Sequence, residues 1–132
     1  NDIIPMVDAK YRTIADKEHR AMAGLSMGAM QTKSITMSVN DVFSKIGLFS
    51  GGTISVEEAN NTPGFRETYD LVFVSFGSRE VENPRGGVDP GKTTADLKAS
   101  GMNAHYYVSP ETAHEWQTWR RSLYQFAQLL FK

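Results

Sequence analysis

A serine with a glycine two positions away on each side, Gly24-Leu25-Ser26-Met27-Gly28, is the residue group best suited to covalent chemistry in this chain. An apolar run, Arg20 to Leu25, leads into it, and Gly28 to Val39 follows with helical spacing. On a tight turn between strand and helix a serine hydroxyl projects clear of the sheet, where it can attack a carbonyl carbon. Such a turn is crowded two residues before and two after the serine, so glycine suits both places. A helix starting just past Ser26 would aim the Met27 N–H at a developing oxyanion.

A nucleophilic serine needs a base, and the base needs an acid. With this turn the acid and the histidine follow the serine in the chain. His19 precedes Ser26, so His105 and His114 remain. His105 lies within Ala-His-Tyr-Tyr-Val and reads as a strand residue facing its neighbours. His114 lies beyond that strand and before the last helix, in Ser-Pro-Glu-Thr-Ala-His-Glu-Trp. A loop there can bring an imidazole over the serine. Active sites of open α/β sheets lie at the carboxyl ends of the strands, so the acid is sought after the run Leu71 to Phe76. Glu80 is the nearest carboxylate beyond it; Glu82 and Asp89 compete in the same loop.

The elements that must hold these residues alternate. Asp2 to Tyr11 has helical spacing; Phe43 to Phe49 is apolar and ends in Ser50-Gly51-Gly52, at the rim of the expected cleft. Leu71 to Phe76 is apolar almost throughout, as a strand covered on both faces would be. Residues 77–92 read as a long polar loop, Thr94 to Ser100 as a helix stopped by Gly101, and Ala104 to Val108 as a strand. Thr118 to Phe131 reads as an amphipathic helix with Trp119, Leu123, Phe126 and Leu130 on its apolar side. The expectation is an α/β fold: a mostly parallel sheet of about four strands flanked by helices, within one domain over residues 1–132.

The chain has 132 residues, a formal net charge of -1, 22% charged residues and no cysteine. That balance carries no electrostatic footprint for nucleic acid or an anionic membrane. No apolar run reaches the roughly 18 residues of a membrane span. Without cysteine, and with three scattered histidines, neither a disulfide nor a dedicated metal site is expected. Gly86 to Thr93 matches the phosphate-binding pattern G-x-x-x-x-G-K-[ST]. That mechanism needs a strand ending at the first glycine, yet the preceding strand ends some ten residues earlier and Pro84 and Arg85 intervene. It reads as a polar active-site loop.

Three blocks together carry a family resemblance: His19-Arg-Ala-Met-Ala-Gly-Leu-Ser-Met-Gly28, Phe73-Val-Ser-Phe-Gly-Ser-Arg-Glu80, and His114-Glu-Trp-Gln-Thr-Trp119 with the helix after it. In them the chain resembles the C-terminal half of the feruloyl and acetyl-xylan esterases of carbohydrate esterase family 1, esterase D-like α/β-hydrolases. The resemblance implies Ser26 as nucleophile, His114 as base, Glu80 where the family usually has Asp, and Met27 as one oxyanion donor. It implies cofactor-free hydrolysis of feruloylated or acetylated xylan fragments, outside a bacterial cell. A thioesterase or acyltransferase with the same triad is the nearby alternative. Trp119 is expected in the core; Trp116, two residues past His114, either lines an aromatic acyl pocket or simply packs. The family's strands before the serine turn are absent from this sequence, and with them the loop giving the second oxyanion N–H. The apolar edge at Arg20 to Leu25 would then be bare and seek a partner. The expectation is a split enzyme, completed by its N-terminal half as a separate chain or swapped protomer, or else a fragment inert alone.

Overall fold

A computed structural model describes residues 2–82 and 87–132. Four parallel strands, β1 (Ala21–Leu25), β2 (Lys45–Phe49), β3 (Leu71–Gly77) and β4 (Ala104–Ser109), pair in the order β1-β2-β3-β4. Each crossover carries helix: α2 (Met27–Ser38) follows β1, α3 (Val56–Asn61) and α4 (Phe65–Thr68) follow β2, and α5 (Ser78–Val81) and α6 (Pro90–Ala99) follow β3. Helix α1 (Ile3–Lys10) precedes the sheet and α7 (Trp116–Ala127) closes the chain. No described helix is long and apolar enough to cross a membrane.

The period of two along each strand sends alternate side chains to opposite faces. Ile46, Leu48, Val72 and Val74 face one way and pack with Ala29, Phe65, Tyr69 and Leu97. Phe49, Leu71 and Phe73 face the other way, and Phe126 of α7 packs on them. A fully buried side chain of this kind contributes about 1.5–3 kcal/mol. Gly47 lets α7 come close: a β-carbon there would lie 3.1 Å from the Phe126 ring. This two-sided cover explains why β2 is buried at every residue and why β3 reads as a continuous apolar run. Strand β1 pairs only with β2 among the described residues and is half-exposed.

Three sequence expectations are corrected. Residues 77–92 are not one long loop. A helical turn, α5, forms at once because the Glu80 carboxylate caps it through the Gly77 N–H. Helix α6 starts at Pro90, four residues before Thr94, because Asp89 accepts from the N–H groups of Gly91 and Lys92 and proline fits a first helical position. The inward face of α7 is Thr118, Ser122 and Phe126, while Leu123 is 55% exposed. The two hydroxyls bury at little cost because both find partners: Ser122 donates to the Thr118 carbonyl at 2.8 Å, and Thr118 is shared between Thr112 Oγ1 and the Ala113 carbonyl.

Candidate active site

Ser26 stands between β1 and α2 with φ 55° and ψ −122°, a backbone state that L residues rarely hold. Its neighbours over-determine the turn. The Ser26 N–H donates to the Phe49 carbonyl at 2.8 Å, which ties the turn to β2. A β-carbon at Gly24 would meet the Gly28 carbonyl oxygen at 2.2 Å, and one at Gly51 would meet the Ser26 carbonyl oxygen at 2.1 Å. Gly28 itself is not crowded by any described residue, so the steric demand falls on Gly24 and Gly51 rather than on both flanking glycines. Met27 opens α2, where the first N–H groups of a helix have no acceptor within it.

His114 reaches the serine from the loop after β4. Its Nε2 lies 2.8 Å from Ser26 Oγ and its Nδ1 lies 2.7 Å from Glu80 Oε1. The three side chains come from the carboxyl ends of β1, β3 and β4, where ligands of open α/β sheets bind. Glu80 is well covered, with its side chain 13% exposed, whereas His114 is 49% exposed. The second carboxylate oxygen of Glu80 accepts from the Gly77 N–H at 2.7 Å and from the Ser50 hydroxyl at 2.8 Å.

The competing residues lie elsewhere. Glu82 is exposed at the end of α5, and Asp89 caps α6. His105 sits in β4 with Nε2 2.9 Å from Asn103 Oδ1; burial, and then the charge of Lys98, lowers its pKa. Lys92 pairs with Asp96 at 2.6 Å along α6, and the Thr93 hydroxyl donates to the Asp89 carbonyl. These contacts leave the end of the phosphate-loop pattern inside a capped helix; its first glycine, Gly86, lies outside the described residues. No group of three His, Cys, Asp or Glu that could hold a metal occurs among the described residues.

Sequence reasoning missed the ring of groups that holds Glu80 and His114. Ser50, buried at the end of β2 with φ 53°, touches Glu80 on one side and accepts from Trp119 Nε1 at 3.1 Å on the other. Trp119 is therefore more than core filling: it also meets His114 edge to face at 5.1 Å. The loop carrying His114 is fastened by the Thr112 hydroxyl to the Ser109 carbonyl at 3.0 Å, by the Thr118 hydroxyl, and by the Arg79 N–H to the Thr112 carbonyl at 3.0 Å. The only sequence signal for Ser50 was its place at the end of an apolar run before two glycines.

Trp116 is 74% exposed and packs edge to face on Trp119 at 5.2 Å. With Trp119, Leu25, Phe49 and Leu123 it lines an open, mostly apolar groove of about 650 Å³, and Trp119 links that groove to the His114 ring.

A parallel sheet with a serine on the strand-to-helix turn, and a histidine and carboxylate at neighbouring strand ends, has the architecture of an α/β-hydrolase. No family model matches the chain. It is 45% identical over 132 residues to an endo-1,4-beta-xylanase/feruloyl esterase of Xylanibacter ruminicola, a match that spans all of this chain and 17% of that protein. Among solved structures it is similar to a ferulic acid esterase, with TM-score 0.60 and 21% identity over 95% of this chain and 56% of the other. It is also similar to a CE1 ferulic acid esterase from Anaeromyces mucronatus solved in complex with ferulic acid, with TM-score 0.65 and 18% identity over 99% and 52%. The chain thus spans little more than half of these solved chains and under a fifth of the curated relative. The sequence resemblance to feruloyl esterases holds along its whole length, and the fold is theirs over the part it covers.

Proposed function

We propose that this chain carries the nucleophile, base and acid of a serine ester hydrolase that releases hydroxycinnamates from xylan. The observation that carries the reading is the continuous relay from Ser26 Oγ through His114 to Glu80, at 2.8 and 2.7 Å. Ser26 Oγ attacks the ester carbonyl carbon as its proton passes to His114 Nε2. The Met27 N–H donates to the oxyanion, and Glu80 holds the imidazolium in place. Collapse breaks the bond to the sugar oxygen, which takes the proton from His114. A water then gives its proton to His114 and attacks the acyl-serine, releasing the carboxylic acid and returning the proton to Ser26.

An aromatic acyl group suits the site better than acetate. The groove that reaches His114 through Trp119 offers two indole rings and the apolar side chains of Leu25, Phe49 and Leu123, more surface than a methyl group can use. The relative is named as a xylanase/feruloyl esterase, which supports xylan as the polymer. A polysaccharide does not cross a membrane unaided, which supports a place of action outside the cell. The sheet is completed along the β1 edge by further strands, which also bring the second oxyanion donor. In the relative the matched segment is part of one longer polypeptide, which favours strands from the same chain.

The test uses the protein that contains this segment. A fluorophosphonate probe should label Ser26, and Ser26→Ala should abolish the labelling. Methyl ferulate should be hydrolysed in preference to naphthyl acetate, and Trp116→Ala should raise KM for methyl ferulate while leaving naphthyl acetate unchanged. Absence of labelling sinks the hydrolase reading; equal loss on both esters sinks the aromatic pocket.

A further inference from the structure

We infer that Ser50 is a positioning residue for the acid, and that Trp119 fixes the direction in which its hydroxyl donates. The inference rests on the proposed triad and adds a fourth and a fifth member to it. Glu80 has one more rotatable bond than the aspartate usual in the family. It also sits on α5, a helix of only four residues. Left alone, its carboxylate would share its time among several rotamers, and only some of them face His114. Two donors remove that freedom. Gly77 N–H and Ser50 Oγ–H both occupy Oε2, at 2.7 and 2.8 Å, so Oε1 is the oxygen left for His114 Nδ1.

The polarity of this chain of hydrogen bonds is forced. Indole Nε1–H can only donate. At 3.1 Å from Ser50 Oγ it takes one lone pair of the hydroxyl and leaves the Ser50 proton for Glu80. The carboxylate can then only accept from His114 Nδ1–H, so Nε2 is the basic nitrogen facing Ser26. The order runs Trp119 to Ser50 to Glu80, and on the other side Ser26 to His114 to Glu80. Ser50 also adjoins the nucleophile: Phe49 accepts from the Ser26 N–H, and Gly51 packs against the Ser26 carbonyl. One turn at the end of β2 therefore sets the nucleophile and the acid relative to each other.

The backbone of Ser50 makes the test clean. Its φ of 53° favours glycine, so Ser50→Gly removes the hydroxyl without adding backbone strain. In the full protein, Ser50→Gly is expected to lower kcat on methyl ferulate by about tenfold to a hundredfold, the range for a hydrogen bond to a charged group. KM should stay within about twofold, since no substrate contact is lost, and Tm should stay close to the parent's, because relief of the backbone at φ 53° offsets the bonds lost to Glu80 and Trp119. The low-field proton resonance of His114 Nδ1–H should broaden or disappear. Trp119→Phe, at a ring that also meets His114 and lines the groove, should lower kcat as well, and the two losses should be less than additive in the double variant because they share the bond to Ser50. Unchanged kcat with an intact low-field resonance in Ser50→Gly overturns the inference, as does a loss of kcat that tracks a fall in Tm. If the parent protein hydrolyses no ester, the proposed function fails; the resonance in parent and variant still decides the role of Ser50.

Discussion

A β-carbon at Gly77 would sit 2.4 Å from the Thr112 carbonyl oxygen, closer than any real contact of that kind. The end of the strand that leads to Glu80 is thus pressed against the loop that carries His114. Glu80 and His114 share one seam, sealed by the Arg79 N–H to the same Thr112 carbonyl at 3.0 Å.

Gly77→Ala should therefore act on the histidine, not only on the strand. The added methyl meets backbone on the far side, which cannot rotate away, so the His114 loop must shift. The expected result is a loss of stability of about 1–3 kcal/mol and a fall of at least about tenfold in fluorophosphonate labelling of Ser26. Thermal unfolding and labelling rates, measured together, check both; wild-type labelling in the variant contradicts the seam.

Ser26 holds φ 55° and ψ −122°, which glycine adopts at no steric cost. Ser26→Gly should raise stability by about 1 kcal/mol while abolishing labelling, because the strain belongs to the position proposed as nucleophile. Chemical denaturation of the pair reads the sign; a less stable variant would argue that the Ser26 side chain contributes packing or hydrogen bonding that outweighs the strain.

The three carboxylates of the acid region separate by variant. Glu80→Gln leaves the shape but removes the charge facing His114, and kcat should fall by about 10³–10⁴-fold. Glu82→Gln should leave kcat unchanged. Asp89→Ala removes the cap of α6 and should cost about 1 kcal/mol of stability, with kcat within about twofold of the parent. Steady-state kinetics and urea unfolding of the three would settle the assignment; a large kcat loss in Asp89→Ala would contradict it.

Alkaline stability should depend on Tyr69. Its phenol lies under α2, 2.8 Å from the Thr36 carbonyl and 2.7 Å from the Val39 carbonyl, and shares its proton between them. Burial, and then the charge of Asp41, push its pKa up from 10.0 to about 12. The folded state therefore disfavours the phenolate that the unfolded chain forms near pH 10. The stabilisation is complete below pH 10.0 and is lost as the pH rises through about 12. Tyr69→Phe should flatten the fall in stability over that window, while Tyr106, also raised to about 12 by burial and then by Asp89 and Glu80, would leave a smaller residual slope. Denaturant unfolding at a series of alkaline pH values checks this; an unchanged slope in Tyr69→Phe refutes it.

Much of the fold was legible because strands buried on two faces are written as short apolar runs, and β2 and β3 are such runs. The limits of α5 and α6 were not, because both starts depend on carboxylates that bond to backbone N–H groups, a contact that polar composition hides. Leu123 misled for a related reason. A helical face of Thr118, Ser122 and Phe126 turns inward because its hydroxyls find carbonyls there, and periodicity counts hydroxyls as polar.

The sequence by itself determined the chemistry on offer: a serine between glycines at a strand end, a histidine after the last strand, and a carboxylate just past the strand between them. Those are local facts, since turn sterics and apolar runs act over a few residues. Only the tertiary structure decided which carboxylate faces His114 and what holds it there. Glu80, Ser50 and Trp119 are 30 and 69 positions apart along the two bonds that join them. Parallel pairing brings the ends of β2 and β3 side by side, and the packing of α7 under the sheet delivers the indole. No pattern in the chain records that meeting, because it is made by the sheet and not by spacing.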